Sequence, residues 1–354
     1  MTDTSLDPWA IALDEFPLTG TAAEKFRAAL RLAVLAPSSH NSQPWRFRLL
    51  GDTLELLADR TRALPVVDPE DRELTISCGA ILKYLRVILV HFGEGVKVSL
   101  LPEPHEPDLL ATVELSGNVT PTDLDHALYA AMPFRRTNRL PFEPEPISEV
   151  ILGHARARAE REQVWLQTLT DEFDRAAVAD LIAEGDRIQL ADRRFRRELA
   201  SWVHRNRSGS RDGMPGYAHG AGDLASAVGP LVIRTFDIGG GLAARDRQLA
   251  IGSPALAVLW TEEDTPLAWL QAGQGLAGAL LSLTANGVSA SYLNQPIEVP
   301  ELRARLRSLL GRMGYPQLIL RIGKGRPVRP TPRRPVDEVL INADDFLRTF
   351  SAPS

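Results

Sequence analysis

An α+β fold built from two similar halves of one chain is what this sequence predicts, on three observations. The stretch Ala36 to Phe47, APSSHNSQPWRF, turns a helix into a strand and is followed at once by a hairpin. Two long apolar helix candidates, Glu73 to Phe92 and Leu267 to Asn286, each stop near glycine and lead into a short apolar strand. The chain has 354 residues, 44% of them hydrophobic, which is enough core for about two domains.

Thr21 to Ala36 carries Phe26, Leu30, Ala33 and Val34 at helical spacing, with Thr21 as N-cap and Glu24 completing a capping box. Pro37, Asn41 and Pro44 then prevent further helix, and Trp45 begins an apolar run. Trp45 to Leu50 and Thr53 to Ala58 read as strands joined across Gly51-Asp52. The first central helix starts near Ser77-Cys78-Gly79 and ends at Gly93 and Gly95, and strands follow at Val96 to Leu101 and Leu110 to Leu115. Beyond a proline-rich link come a helix from Ser148 to Arg161, a strand at Val164 to Leu169, and helices at about 172–185 and 192–204. Asn206 to Gly222 is rich in Gly and Ser and lacks apolar periodicity, which suits a lid-like insertion at about 204–222. Ala255 to Trp260 is a strand, then the second central helix, a helix at Glu301 to Leu310, a strand at Gln317 to Ile322 and a basic, proline-broken segment to Arg334.

The halves echo one another. Cys78-Gly79-Ala80-Ile81-Leu82 through Gly93 and Val98 to Pro102 parallels Ala272-Gly273-Gln274-Gly275-Leu276 through Gly287 and Ala290 to Asn294. Each half is expected to carry a mixed or antiparallel sheet on a long central helix, with boundaries at 1–125 and 126–354.

A net charge of −5 argues against general nucleic-acid binding. The basic run Arg193, Arg194, Arg196, Arg197, Arg205, Arg207 and Arg211 reads as a solvated helix face and loop. Cys78 is the sole cysteine and sits in an apolar run, so it reads as inert core and no intrachain disulfide can form. The N-terminus lacks the basic start and apolar centre of a signal peptide, and no uninterrupted apolar stretch reaches membrane-spanning length. A cytoplasmic protein without membrane partners is expected. The seven histidines show no metal spacing, and no Ser/His/Asp arrangement is visible.

The corner APSSHNSQPWRF resembles the corner motif of the nitroreductase superfamily of flavin proteins. Arg135-Arg136-Thr137-Asn138-Arg139 is similar to the family's Arg-x-Ser-x-Arg phosphate motif, and Thr331-Pro332-Arg333-Arg334-Pro335 to its C-terminal phosphate-binding arginine. The resemblance implies a nitroreductase-like fold duplicated in one chain, most like the Acg-type branch, binding FMN. Guanidinium forks suit a dianionic phosphate because they bind its oxygens in bidentate, charge-assisted pairs. Arg135, Arg139 and Arg333 would hold that phosphate, with Arg136, Thr137 and Arg334 beside them. Pro37, Ser38, Ser39, Asn41 and Gln43 would contact the ring or ribityl chain, and His40 would be a solvent or lid contact rather than a general base. The segment Ser291, Tyr292, Leu293, Asn294 and Gln295 matches the one whose backbone lies beside the reactive flavin nitrogen. No side chain is expected to be catalytic, since the flavin does the chemistry.

Family members share each flavin between two identical subunits. Here the first half has the corner and the second half the arginines, while RAEREQVW between Ala157 and Trp165 replaces the second corner. One complete and one decayed site are therefore expected in a monomer acting as a pseudo-dimer. The implied function is an NADH- or NADPH-dependent oxidoreductase passing hydride through FMN to a small nitroaromatic or quinone. The alternative is FMN storage under a closed lid.

Overall fold

A computed structural model describes residues 8–10, 15–220, 222–235 and 239–341. Helix α1 (Ala22–Ala33) starts where expected: the Thr21 hydroxyl accepts from the Glu24 N–H at 3.3 Å, and the Glu24 carboxylate accepts from the Thr21 N–H at 2.8 Å. Strands β1 (Trp45–Leu50) and β2 (Thr53–Ala58) form the hairpin, and Gly51 takes the left-handed turn conformation at φ 58°. Helix α2 (Arg72–His91) then runs through the centre, followed by β3 (Glu94–Leu100), β4 (Leu109–Asn118) and α3 (Asp123–Ala131).

Helix α2 begins five residues before Ser77. Its first turn is buried but charged, which conceals the start from any apolar pattern: Arg72 donates to the Gln317 carbonyl at 2.6 Å and to Glu73 at 3.1 Å. By length and composition α2 is also apolar enough to cross a membrane, although Lys83 and Arg86 interrupt its apolar run. In this fold it is packed inside protein, with residues from Leu74 to Leu89 in the core.

The second half contributes α4 (Glu149–Glu160), β5 (Trp165–Leu169), α5 (Glu172–Ala191) and α6 (Arg193–Trp202). Helix α5 extends past the expected end near 185. The insertion holds two short paired strands, β6 (Val203–His204) and β7 (Met214–Pro215). Helices α7 (Asp223–Thr235) and α8 (Gly239–Ile251) follow, where the sequence offers no clear period. Then come β8 (Ala255–Thr261), the second central helix α9 (Pro266–Ala285), β9 (Ser289–Tyr292), α10 (Gln295–Glu298), α11 (Pro300–Leu310), β10 (Tyr315–Gly323), α12 (Val336–Val339) and β11 (Leu340–Ile341).

Two larger sheets result, ordered β11-β1-β2-β4-β3 and β5-β8-β10-β9. Strand β11 pairs parallel with β1, Phe47 opposite Leu340 and Arg48 opposite Ile341. The last described strand thus covers an edge of the first sheet and satisfies its backbone groups. Residues 331–341 consequently pack with the first half, across the 125/126 division that the sequence suggests.

The central helices cross where glycine faces glycine. A Cβ on Gly79 would lie 2.2 Å from the Leu270 carbonyl oxygen, and one on Gly273 would lie 1.9 Å from the Ile76 carbonyl oxygen. Neither position accepts a side chain without moving backbone. Because the helices cross so closely, Leu270, Ala277 and Leu281 of α9 enter the first half's core, while Ile76 of α2 enters the second half's.

Candidate functional site

After α1 the backbone enters the corner through strained conformations. His40, Asn41 and Gln43 all have positive φ, at 50°, 56° and 53°, a region that non-glycine residues adopt only when other contacts enforce it. The Ser38 hydroxyl accepts from the Gln43 N–H at 2.9 Å, and the Ser77 hydroxyl accepts from the Ser39 N–H at 3.2 Å. Asn41 Nδ2 donates to the carbonyls of Gly213 and Pro332, both at 3.0 Å, and its Oδ1 accepts from Arg333 at 2.7 Å. Ser39 Oγ donates to Glu73 at 2.5 Å, and Asn294 Nδ2 donates to the same carboxylate at 3.3 Å. Glu73 thus ties the corner to the segment after β9.

The corner is one wall of a cavity of about 390 Å³, within the roughly 300–1,000 Å³ of small-molecule sites. A second wall is the extended segment carrying Arg135 to Arg139, held along β9 by the Thr137–Ala290 bridge and the Asn138 N–H to Ala290 carbonyl bond at 2.9 Å. Arg135 and Arg139 leave this segment toward different ends of the cavity.

At the first end Arg135 and Arg333 converge on the Leu35 carbonyl, at 3.5 and 3.3 Å. Both side chains are buried, and the Nε of each has no hydrogen-bond partner among the described residues. The buried Tyr84 hydroxyl stands beside them, next to Arg135. Burial, followed by the charges of Arg135 and Arg136, pushes Arg333 well below the usual arginine range. This end is short of negative charge.

At the other end Arg139 contacts Met214 Sδ at 3.5 Å, and burial lowers it to about 10. Arg245, Arg321, Asp186, Asp246 and His219 share this end. His40 lines the cavity and is half-buried; burial lowers it to about 4 against the opposing pull of Glu73.

The insertion packs on the corner. Asn41 and Gly213 exchange backbone and side-chain hydrogen bonds, Gln43 Nε2 donates to the Arg211 carbonyl at 2.9 Å, and the Tyr217 hydroxyl donates to the Pro330 carbonyl at 2.8 Å. Arg62 and His204 both pair with Asp212. Burial alone would raise the Asp212 carboxyl, but hydrogen bonds from His204, Ser210 and Arg62 outweigh it and hold the group far below the usual range. Ala221, within the expected insertion, lies outside the described residues. Arg193, Arg194, Arg197, Arg205 and Arg207 of the basic run are exposed, whereas Arg196 is buried on the Leu190 and Ala191 carbonyls and Arg211 pairs with Glu338.

No protein-family model matches the chain. A Mycobacterium tuberculosis protein named as an NAD(P)H nitroreductase is 35% identical over 332 residues, 92% of this chain and 94% of the relative. The chain belongs to the nitroreductase superfamily. The Acg protein of the same organism, also named as an NAD(P)H nitroreductase, is 30% identical over 93% of this chain and 99% of its own length. A solved FMN-dependent nitroreductase of Mycobacterium smegmatis in complex with NADPH is 18% identical, covering 62% of this chain and all of that one, with a TM-score of 0.40.

In this nitroreductase-family chain the cavity wall brings together Pro37, Ser38, Ser39, Asn41, Arg135, Thr137, Arg139, Ser291, Tyr292, Leu293, Asn294, Gln295 and Arg333. Gln43, Arg136 and Arg334 stand outside it. Gln43 is fully buried and accepts from the Arg334 N–H at 2.8 Å, bracing the C-terminal segment. Arg136 stacks on Trp9, 3.5 Å from the ring centroid, and Arg334 turns away from Arg333 to the Glu338 carbonyl at 2.7 Å. Their extended segments alternate, so adjacent arginines cannot share one ligand face. Sequence reasoning missed Glu73, Asp186, Asp246, Arg245 and Arg321. Arg321 had a signal, a lone charge inside the apolar strand LILRIG; the acids had none apart from their tertiary neighbours.

Proposed function

We propose that this chain is an FMN-dependent NAD(P)H oxidoreductase with one FMN per chain, reducing a small nitroaromatic or quinone. The observation that carries the reading is the buried pair Arg135 and Arg333, each with an unpartnered Nε, at one end of a cavity whose walls are the corner and the segment Ser291 to Gln295. Buried donors are normally satisfied, and a phosphate dianion would satisfy these two while relieving their mutual repulsion. The residues therefore fit the group.

Arg135 and Arg333 would hold the phosphate. Ser38 and Ser39 would border the ribityl chain or ring, and the backbone of Ser291 to Gln295 would lie along the ring edge, where N–H groups favour developing negative charge. Arg139, at the other end, would supply a second positive charge toward the ring. When bound, FMN supplies hydride transfer between NADH or NADPH and the acceptor.

The reciprocal Gly79–Gly273 crossing supports an internal duplication, with halves of 1–125 and 126–354 acting as a pseudo-dimer. Equivalent points of the two repeats touch each other, as they would across a twofold axis. The chain would then need no second copy to complete its site.

One observation favours storage of FMN as a second reading: the insertion at 204–222 is stitched to Asn41 and Gln43 and would serve as a closed lid. Anaerobic mixing of the FMN-loaded protein with NADH or NADPH separates the two. The oxidoreductase reading expects the flavin absorbance to bleach. No bleaching with either nucleotide, while dithionite still bleaches, would overturn it in favour of storage.

A further inference from the structure

Away from the arginine pair, two carboxylates meet on the cavity wall. Asp186 on α5 and Asp246 on α8 are bridged by a single amide, with Gln295 Nε2 donating to Asp186 Oδ1 at 3.0 Å and to Asp246 Oδ2 at 3.2 Å. Asp186 is 6% exposed, and its Oδ2 has no partner among the described residues. Among the described residues, no ion pair within 4.0 Å reaches either carboxylate. One shared NH₂ group is weak compensation for two buried carboxylates, so the charges around each decide which of them holds a proton more readily.

Burial raises the Asp246 carboxyl, and Arg245 on its own helix, Arg321 on β10 and Arg139 from the extended segment oppose it in favour of the ionised form. Facing Asp186 are Arg187 on its own helix, Gln295 on α10, and Asp246 itself. Only Arg187 offers it charge of the helpful sign. Burial first, and then the charge of Asp246, raise the Asp186 carboxyl to about 7.

Asp186 also stands where an acceptor would lie. The same end of the cavity has apolar walls from Phe195, Leu199, Met214, Leu242 and Leu249, suited to a flat ring. We propose that Asp186 is the acid that protonates the acceptor during its reduction. The proposal rests on the oxidoreductase reading above. In the step, the acceptor would take up one hydride, which carries two electrons and one proton and comes from NAD(P)H by way of FMN, and one further proton from Asp186. An O–H bond forms at the acceptor oxygen as the Asp186 O–H bond breaks. The carboxylate left beside Asp246 then regains a proton from solvent.

The test uses FMN-loaded protein reduced with one equivalent of dithionite and mixed anaerobically with 1,4-benzoquinone between pH 5 and 9. Wild type should reoxidise at a rate that falls as pH rises through about 7. Asp186→Asn should be about a hundredfold slower at pH 6 and show no such limb. Asp246→Asn, which keeps Asp186 and removes its charged neighbour, should move the limb to lower pH. An unaltered limb in Asp186→Asn, or in Asp246→Asn should the first variant fail to fold, overturns the proposal. Infrared difference spectra across the same pH range give a readout independent of turnover and of FMN. A protonated-carboxyl band should vanish through about pH 7 in wild type and be missing from Asp186→Asn. Its absence from wild type overturns the proposal whatever NAD(P)H does, whereas failure of NAD(P)H alone to bleach the flavin counts only against the oxidoreductase reading.

Discussion

The two ends of the cavity solve opposite electrostatic problems. At one, Arg135 and Arg333 are buried together with Tyr84 and lack an acidic partner; at the other, Asp186 and Asp246 are buried together and share one amide. Like charges in a low-dielectric site repel, and proteins relieve this by binding a counter-ion or by changing protonation. Arginine cannot readily lose its proton, so the first end demands an anion from outside. A carboxyl pair can hold a proton between its members, so the second end needs none. The difference teaches that one end is built for binding and the other for proton chemistry.

The sharpest way to break both ends at once is to separate the helices between them. Gly273→Ala places a Cβ 1.9 Å from the Ile76 carbonyl oxygen. Overpacking of this kind costs about 1–3 kcal/mol, and more where backbone must move. A lowered denaturant midpoint is expected, and an unchanged midpoint would mean that α2 and α9 do not cross there.

A selective change at the cationic end is Arg135→Ala, since this guanidinium makes one long bond to the Leu35 carbonyl and little else inside the protein. Losing a charge-assisted bond to phosphate costs about 1.5–3 kcal/mol, roughly a tenfold to hundredfold weaker FMN affinity. Equilibrium titration of FMN fluorescence checks this, and undiminished affinity would place the phosphate elsewhere.

The acidic end can be sharpened through stability alone. The Asp186 carboxyl is raised in the folded state to about 7 from an ordinary value near 3.8. Between those values the folded protein binds more protons than the unfolded chain, so this group makes stability fall as pH rises through the window. Asp186→Asn should therefore gain stability relative to wild type from pH 4 to pH 8, with the two converging near pH 4. Melting temperatures at the two pH values test the sign.

Local chemistry made much of the fold legible. Thr21 and Glu24 set the start of α1, Gly51 set the hairpin, and Trp45 to Leu50 and Thr53 to Ala58 are strands at the expected residues. The start of α2 was hidden because Arg72 and Glu73 are buried polar residues satisfied by partners distant in sequence. Helix α7 was hidden because Pro230 lies inside it, and α8 because its glycine-rich start and mixed faces carry little helical period. Within the site, the corner, Arg135 and Arg333 could be read from motifs, whereas Gln43, Arg136 and Arg334 have the right chemistry but face other partners.

By itself the sequence determined that a helix-to-strand corner, a set of arginines and two glycine-stopped helices exist, because each depends on neighbours along the chain. Tertiary structure alone decided that the C-terminal segment returns to the first sheet, that Arg135 and Arg139 serve different ends, and that Asp186 meets Asp246. Charge in a folded protein depends on distance through space and on exclusion of water, and neither is written in the order of residues.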